Sequence, residues 1–187
     1  MHTVLWKRLD RDGHDACRFT KTHDTWNIEG SAVFEHNGSV ADLAYRLVCD
    51  SEWCSLQASV TGWIGSEGIE LLIERDGVET WRVNGSVRED LAGLKDIDLG
   101  FTPASNTSAI RRLNLSEGCE ARSTAVWLDT EDGAVKPLPQ IYRRIGRNAY
   151  DYTSLLHDYR ATLTVDDFGV VAEYPRLWVM VLASGKQ

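Results

Sequence analysis

The chain has 187 residues (21.0 kDa), with 43% hydrophobic and 26% charged residues, the balance of a globular chain long enough to bury one core. Its formal charge of −8 and pI near 5.1 argue against the basic surface that nucleic-acid binding normally needs, so no nucleic-acid partner is expected. No run approaches the roughly 20 consecutive apolar residues of a membrane-spanning helix.

The chain opens Met1-His2-Thr3-Val4-Leu5-Trp6-Lys7-Arg8, without the basic run, apolar core and small-residue cleavage site of a secretory signal, and a cytoplasmic location is expected. Short apolar runs then recur between turn pairs at Asp12-Gly13, Asn37-Gly38, Asp76-Gly77, Asn84-Gly85 and Asp132-Gly133, which supply the positive φ of tight hairpins. Tyr45, Leu47 and Cys49 alternate with Arg46, Val48 and Asp50, which is strand period. Leu56, Ala58, Val60 and Ile64 line one face of the next run, and Ile69, Leu71 and Ile73 alternate with Glu70 and Glu74. Ser86 with Glu89 three residues on is expected to cap a short helical turn before Leu91 and Leu94. Further strands are expected at 124–129, around Ala161, Leu163 and Val165, at 170–174 and at 177–182. Leu155, Leu156 and Tyr159 have helical spacing, which predicts a second short helix over 152–159. About a dozen strands with at most two short helices make an all-β domain over 1–187, an antiparallel sheet rolled on itself so that few edges stay exposed. The four cysteines, Cys17, Cys49, Cys54 and Cys119, form no CxxC pair and no zinc-like array with histidine. Free thiols are expected, although Cys49 and Cys54 are near enough to pair across a turn in an exported protein. No metal and no cofactor are expected.

The segment from Leu94 to Leu115, LKDIDLGFTPASNTSAIRRLNL, departs from a solvated strand pattern. As a strand it projects Asp96 and Asp98 from one face and Ile97 and Leu99 from the other, leaving two close carboxylates in need of a partner. Residues 102–108 read as a polar turn, and the returning run Ile110-Arg111-Arg112-Leu113 brings a guanidinium back to the carboxylates. This segment resembles the motif DxDLGFTPxTNTxPIRRL of the putative glycolipid-binding family of bacterial proteins. The resemblance extends to Tyr45–Asp50 with Trp53, to Tyr150-Asp151-Tyr152, and to the hairpin from Val165-Asp166 to Tyr174-Pro175. Ser105 stands where threonine is usual, and Ser108-Ala109 replace a leucine-proline pair. Membership implies a spiral β-roll, a half-open barrel similar to bacterial lipoprotein carriers, around an elongated apolar interior. It implies a glycolipid-like ligand and carries no catalytic residues over.

On this reading the chain is a non-catalytic binder of an amphiphilic small molecule. Arg111 and Arg112 are the headgroup anchors, because guanidinium matches phosphate or carboxylate bidentately. The competing assignment is a structural ion pair of either arginine with Asp96 or Asp98. Trp63, Trp81, Trp127 and Trp178 are expected around the acyl chains. Asn106, Tyr150 and Tyr152 complete the candidate ligand-binding set with Asp96 and Asp98. The run Tyr142, Arg143, Arg144, Arg147, Tyr150 and Tyr152 reads as a carbohydrate platform or, more simply, as an edge strand with half-buried tyrosines. An enzyme using Asp96, Asp98, Asp50 and His23 is the alternative, without a GxSxG, HExxH or GxxxxGK motif to support it. A structural or interaction module is the third possibility, marked by an interior too tight for a ligand.

Overall fold

The computed structural model describes residues 1–77 and 79–185. Among these are fifteen strands, one α-helix and one 3-10 turn. The first eight strands are β1 (His2–Arg8), β2 (Gly13–Lys21), β3 (Thr25–His36), β4 (Ser39–Asp50), β5 (Ser55–Ile64), β6 (Glu67–Arg75), β7 (Trp81–Val83) and β8 (Ser86–Arg88). The 3-10 turn Glu89–Leu91 then leads to β9 (Asp96–Asp98) and helix α1 (Ala104–Leu113). The chain finishes with β10 (Glu120–Leu128), β11 (Val135–Gly146), β12 (Ala149–Ser154), β13 (Tyr159–Val165), β14 (Val171–Tyr174) and β15 (Trp178–Gly185).

All fifteen strands form one sheet, in the order β8 back to β1, then β15 back to β9. Two meanders therefore run outward from a central seam where β1 pairs antiparallel with β15. Every neighbouring pair is antiparallel except β9 with β10. Hairpins at Asn37-Gly38 and Asn84-Gly85 have both residues at positive φ, the geometry that a two-residue turn between right-twisted strands demands. The sheet rolls without closing its ladder, and β8 and β9 remain its edges. Side chains stitch the two ends instead. Arg88 donates to the Val135 carbonyl at 2.8 Å, the Trp81 indole to the Leu94 carbonyl at 3.0 Å, and the Ile97 N–H to Ser55 Oγ at 3.0 Å.

The strand periodicity read from the sequence is the periodicity of burial: Tyr45, Leu47 and Cys49 are inside, with Arg46 exposed. One continuous core runs through the roll and includes Trp6, Phe19, Ile28, Leu43, Ile73 and Phe101. Two helix expectations fail in opposite directions. Residues 152–159 are the end of β12, a turn, and the start of β13. Leu155 and Leu156 are exposed there, so the spacing that suggested a helix face buries nothing. Residues 102–108, expected as a turn, instead enter α1. Ser, Asn and Thr lower helix propensity by bonding nearby backbone in other conformations, but burial overrides this. All seven residues from Ala104 to Ile110 are buried, because the helix fills the roll's interior. Asn114 closes it in the left-handed conformation at φ 41°. The Tyr142–Tyr152 run is likewise no edge strand, because β11 and β12 lie between β10 and β13. The four cysteines are free thiols. No helix among the described residues is long and apolar enough to cross a membrane.

The buried polar residues of α1 need partners inside the roll. Asn106 donates to the Tyr142 hydroxyl at 3.0 Å, and Ser108 donates to the Ser105 carbonyl at 2.8 Å. The Thr107 hydroxyl has no partner among the described residues. Thr107→Val keeps the shape and removes that orphan, so stability in urea denaturation should be unchanged or higher by about 1 kcal/mol. A loss of that size would mean that the hydroxyl is bonded in solution.

Candidate functional site

Two concavities flank α1, one at each end. Where β9 runs into the helix, a pocket of about 300 Å³ is bounded by aromatic faces from Trp127, Tyr152, Tyr159, Tyr174 and Trp178. The polar groups on its wall include Asp98, Asn106, Ser154 and His157. Register explains why they converge: β10 aligns Trp127 with Asp98 across the parallel ladder, and the inward face of β11 carries Leu138, Gln140 and Tyr142. Asp98 accepts from Gln140 Nε2 at 2.7 Å and from Ser105 Oγ at 3.3 Å. Gln140 Nε2 also donates to the Tyr152 hydroxyl at 3.0 Å, which fixes that ring. His157 lies edge-on to Trp127 at 5.0 Å, with its Nδ1 2.8 Å from Ser154 Oγ. Burial pushes the Asp98 carboxyl up to about 6, against the lowering effect of its Gln140 and Ser105 bonds. Asp98 is half-buried, and Trp127 and Tyr152 are buried.

Asp96 has a different environment. It is 1% exposed, and Arg112 grips both its oxygens, Nε at 2.6 Å and Nη2 at 2.5 Å. The Ser123 hydroxyl adds a short hydrogen bond to the same carboxylate. Adjacent carboxylates two residues apart thus divide, one into an ion pair and one into a pocket. Asp50 and His23 do not join them: Asp50 accepts the Glu52 and Cys54 backbone N–H groups, and His23 is exposed.

At the other end of α1 a wider cleft of about 770 Å³ holds Arg111, Arg112, Arg144, Arg147 and Lys95. Tyr150 lines it and is buried beneath the Arg144 guanidinium, 5.8 Å from the ring centre. Arg111 lies over both Trp53 and Phe168, 5.2 Å from each ring centre, and the two rings meet edge to face.

Of the ten residues proposed from the sequence, Asp98, Asn106, Tyr152 and Trp127 meet in the pocket, and Arg111, Arg112 and Tyr150 line the cleft. Asp96 belongs to the ion pair beside the cleft. Trp81 is a core residue with 0% exposure, and Trp63 lies on the outer face, 40% exposed, so neither lines a ligand-accessible interior. Trp178, expected beside acyl chains, lines the aromatic pocket. Sequence reasoning missed Gln140, His157 and Tyr174. Gln140 had a signal, since Leu138, Gln140 and Tyr142 share one strand phase and a glutamine there points inward.

A family model described as "Putative glycolipid-binding" matches residues 3–179. The chain belongs to this family. Among solved structures it is similar to a DUF1089 family protein from Pseudomonas aeruginosa, at 29% identity and a TM-score of 0.76, covering 88% of this chain and 90% of that one. A beta-barrel-like protein of domain of unknown function DUF1849 from Brucella abortus shares the fold at 9% identity, TM-score 0.56, over 97% of this chain and 96% of that one. No curated protein matches.

Proposed function

We propose that this protein binds a glycosylated amphiphile without catalysis, taking the sugar headgroup into the aromatic pocket beside Asp98. The observation that carries the reading is the pairing of aromatic faces with a half-buried carboxylate and uncharged polar groups in one small cavity. A sugar ring presents C–H faces that pack on aromatics, and hydroxyls that donate to a carboxylate. A few placed polar groups in an apolar pocket are the general form of small-ligand sites. The roll's interior, occupied by α1 and the aromatic core, leaves the acyl tail outside. Exposed Leu155 and Leu156, adjoining His157 in the chain, offer that tail an apolar rim. Four free thiols suit a reducing cytoplasm as the place where the ligand is met.

Calorimetric titration with an alkyl glucoside below its micelle concentration tests this. Binding should exceed that of a polyoxyethylene detergent of matched chain length. Trp127→Ala and Asp98→Asn should each weaken it by about tenfold or more, and Trp63→Ala on the outer face should not. Equal affinity for the sugar-free detergent, or an unchanged Asp98→Asn, would sink the proposal.

One observation favours a second reading. A carboxyl held near 6 next to a histidine has the range of a general acid or base. Hydrolysis by paired carboxylates needs two such groups facing one bond, and Asp96 is committed to Arg112. Turnover of an aryl glycoside that disappears in Asp98→Asn would favour the enzyme.

A further inference from the structure

We infer that the arginine cleft at the C-terminal end of α1 is a second binding site, specific for a phosphate ester. It does not rest on the sugar pocket. On a chain of net charge −8, five cationic side chains line this one cleft. Among the described residues Lys95, Arg111 and Arg144 form no ion pair with a carboxylate, whereas Arg112 is held by Asp96 and Arg147 by Asp167. The cleft's own carboxylates are largely spoken for. Asp166 accepts the Phe168 and Val170 backbone N–H groups and lies 2.8 Å from His2 Nε2, and Asp167 also accepts from Asn148.

Arg111 offers such a ligand unspent donors. Its guanidinium rests on the edge-to-face pair of Trp53 and Phe168, 5.2 Å from each ring centre, and spends one N–H on the Phe168 carbonyl at 3.2 Å. Its remaining donors have no protein acceptor among the described residues. A guanidinium ordered by two aromatic contacts and a hydrogen bond, yet open to solvent, gives up little freedom when it meets an oxyanion. Trp53 is placed there at φ 68°, a left-handed conformation costing a bulky residue on the order of 1–3 kcal/mol. Gly169 lets the Arg111 stem pass close by, since a Cβ at that position would lie 3.2 Å from Arg111 Cδ. Arg144 is anchored through the Leu115, Gly146 and Arg147 carbonyls, so its charge is fixed in place. Several fixed cations around one opening suit the multiple oxygens of a phosphate better than a single carboxylate.

The test uses the full chain with glycerol phosphate in calorimetry, and with phosphatidylcholine vesicles with and without phosphatidic acid in co-sedimentation. Wild-type protein should bind at least one phosphate probe saturably, less tightly as salt rises. Arg111→Ala and Arg147→Ala should each lower affinity about tenfold; the Arg147 side chain is 82% exposed, so its loss leaves the fold intact. Glu52→Gln, which removes a lining negative charge, should raise affinity, and Asp98→Asn should leave it unchanged. Binding of glycerol phosphate alone identifies a soluble ester as the source, and recruitment only by phosphatidic acid identifies a lipid headgroup. Absence of saturable binding to all probes, or affinity unaltered in the Arg111→Ala/Arg147→Ala double variant, would overturn the inference.

Discussion

Arg112→Ala is expected to destabilise the fold by about 3–5 kcal/mol. For a chain of this size that lowers the melting temperature by roughly 10 °C. The cause is the carboxylate left behind. Asp96 is 1% exposed and loses both guanidinium contacts, keeping only Ser123 as a partner. The reverse deletion should cost less, because Arg112 keeps 17% side-chain exposure and can turn toward the cleft and water. Replacing both partners by apolar residues should restore much of the loss, since a buried pair gains little over a packed hydrophobic substitute. Urea denaturation of the four members of this cycle measures the coupling directly. An Arg112→Ala variant with unchanged stability would mean that the pair is open in solution and Arg112 is free to act as a ligand anchor.

Asp15 should give the protein a pH dependence opposite to ordinary acid denaturation. Its carboxylate is fully buried under the roll, with Tyr45 donating to both oxygens at 2.9 and 3.1 Å and Thr102 adding a short bond. Gly30 makes this possible, because a Cβ there would strike the Tyr45 ring. Burial pushes the Asp15 carboxyl up to about 7, outweighing the two hydroxyl bonds that lower it. The unfolded chain releases that proton near 4. Between about 4 and 7 the folded state therefore binds the extra proton, so its stability falls as pH rises across that window. Retaining the proton over that whole window changes stability by at most about 4 kcal/mol. Asp15→Asn, neutral at all pH, should match wild type near pH 4 and exceed it by about 2–4 kcal/mol at pH 8. Denaturation midpoints for both proteins across this range decide the matter, and parallel profiles would contradict it. Thr102 also lines the aromatic pocket, so this buried carboxyl supports the pocket wall.

These two buried acids show what a sequence conveys and what it withholds. Strand runs were legible because a two-residue period survives in any sheet that has one wet face, and the Asn-Gly hairpins were legible because few residues tolerate positive φ. The same phase could have excluded Trp63. Ala58 and Val60 point inward, so a residue three beyond Val60 points outward. Helix α1 was illegible because its evidence is tertiary: Ser105, Asn106, Thr107 and Ser108 become helical only inside a roll that buries them. The tetrad of Asp96, Asp98, Arg111 and Arg112 was found, but its division was not. Which carboxylate meets which arginine depends on where α1 lies relative to β9, and no local pattern encodes that distance. Asp15 gave no signal at all, since its partners Tyr45 and Thr102 lie 30 and 87 residues away.

A sugar-bearing amphiphile seated beside Asp98 should stay with the protein through purification. Native mass spectrometry of the protein purified from its own host, followed by fragmentation of whatever is released, would detect it. The expected result is an adduct that loses a glycosyl unit on fragmentation, present on wild type and absent from Asp98→Asn. An empty wild-type protein, an adduct without sugar, or equal loading of the two proteins would contradict it.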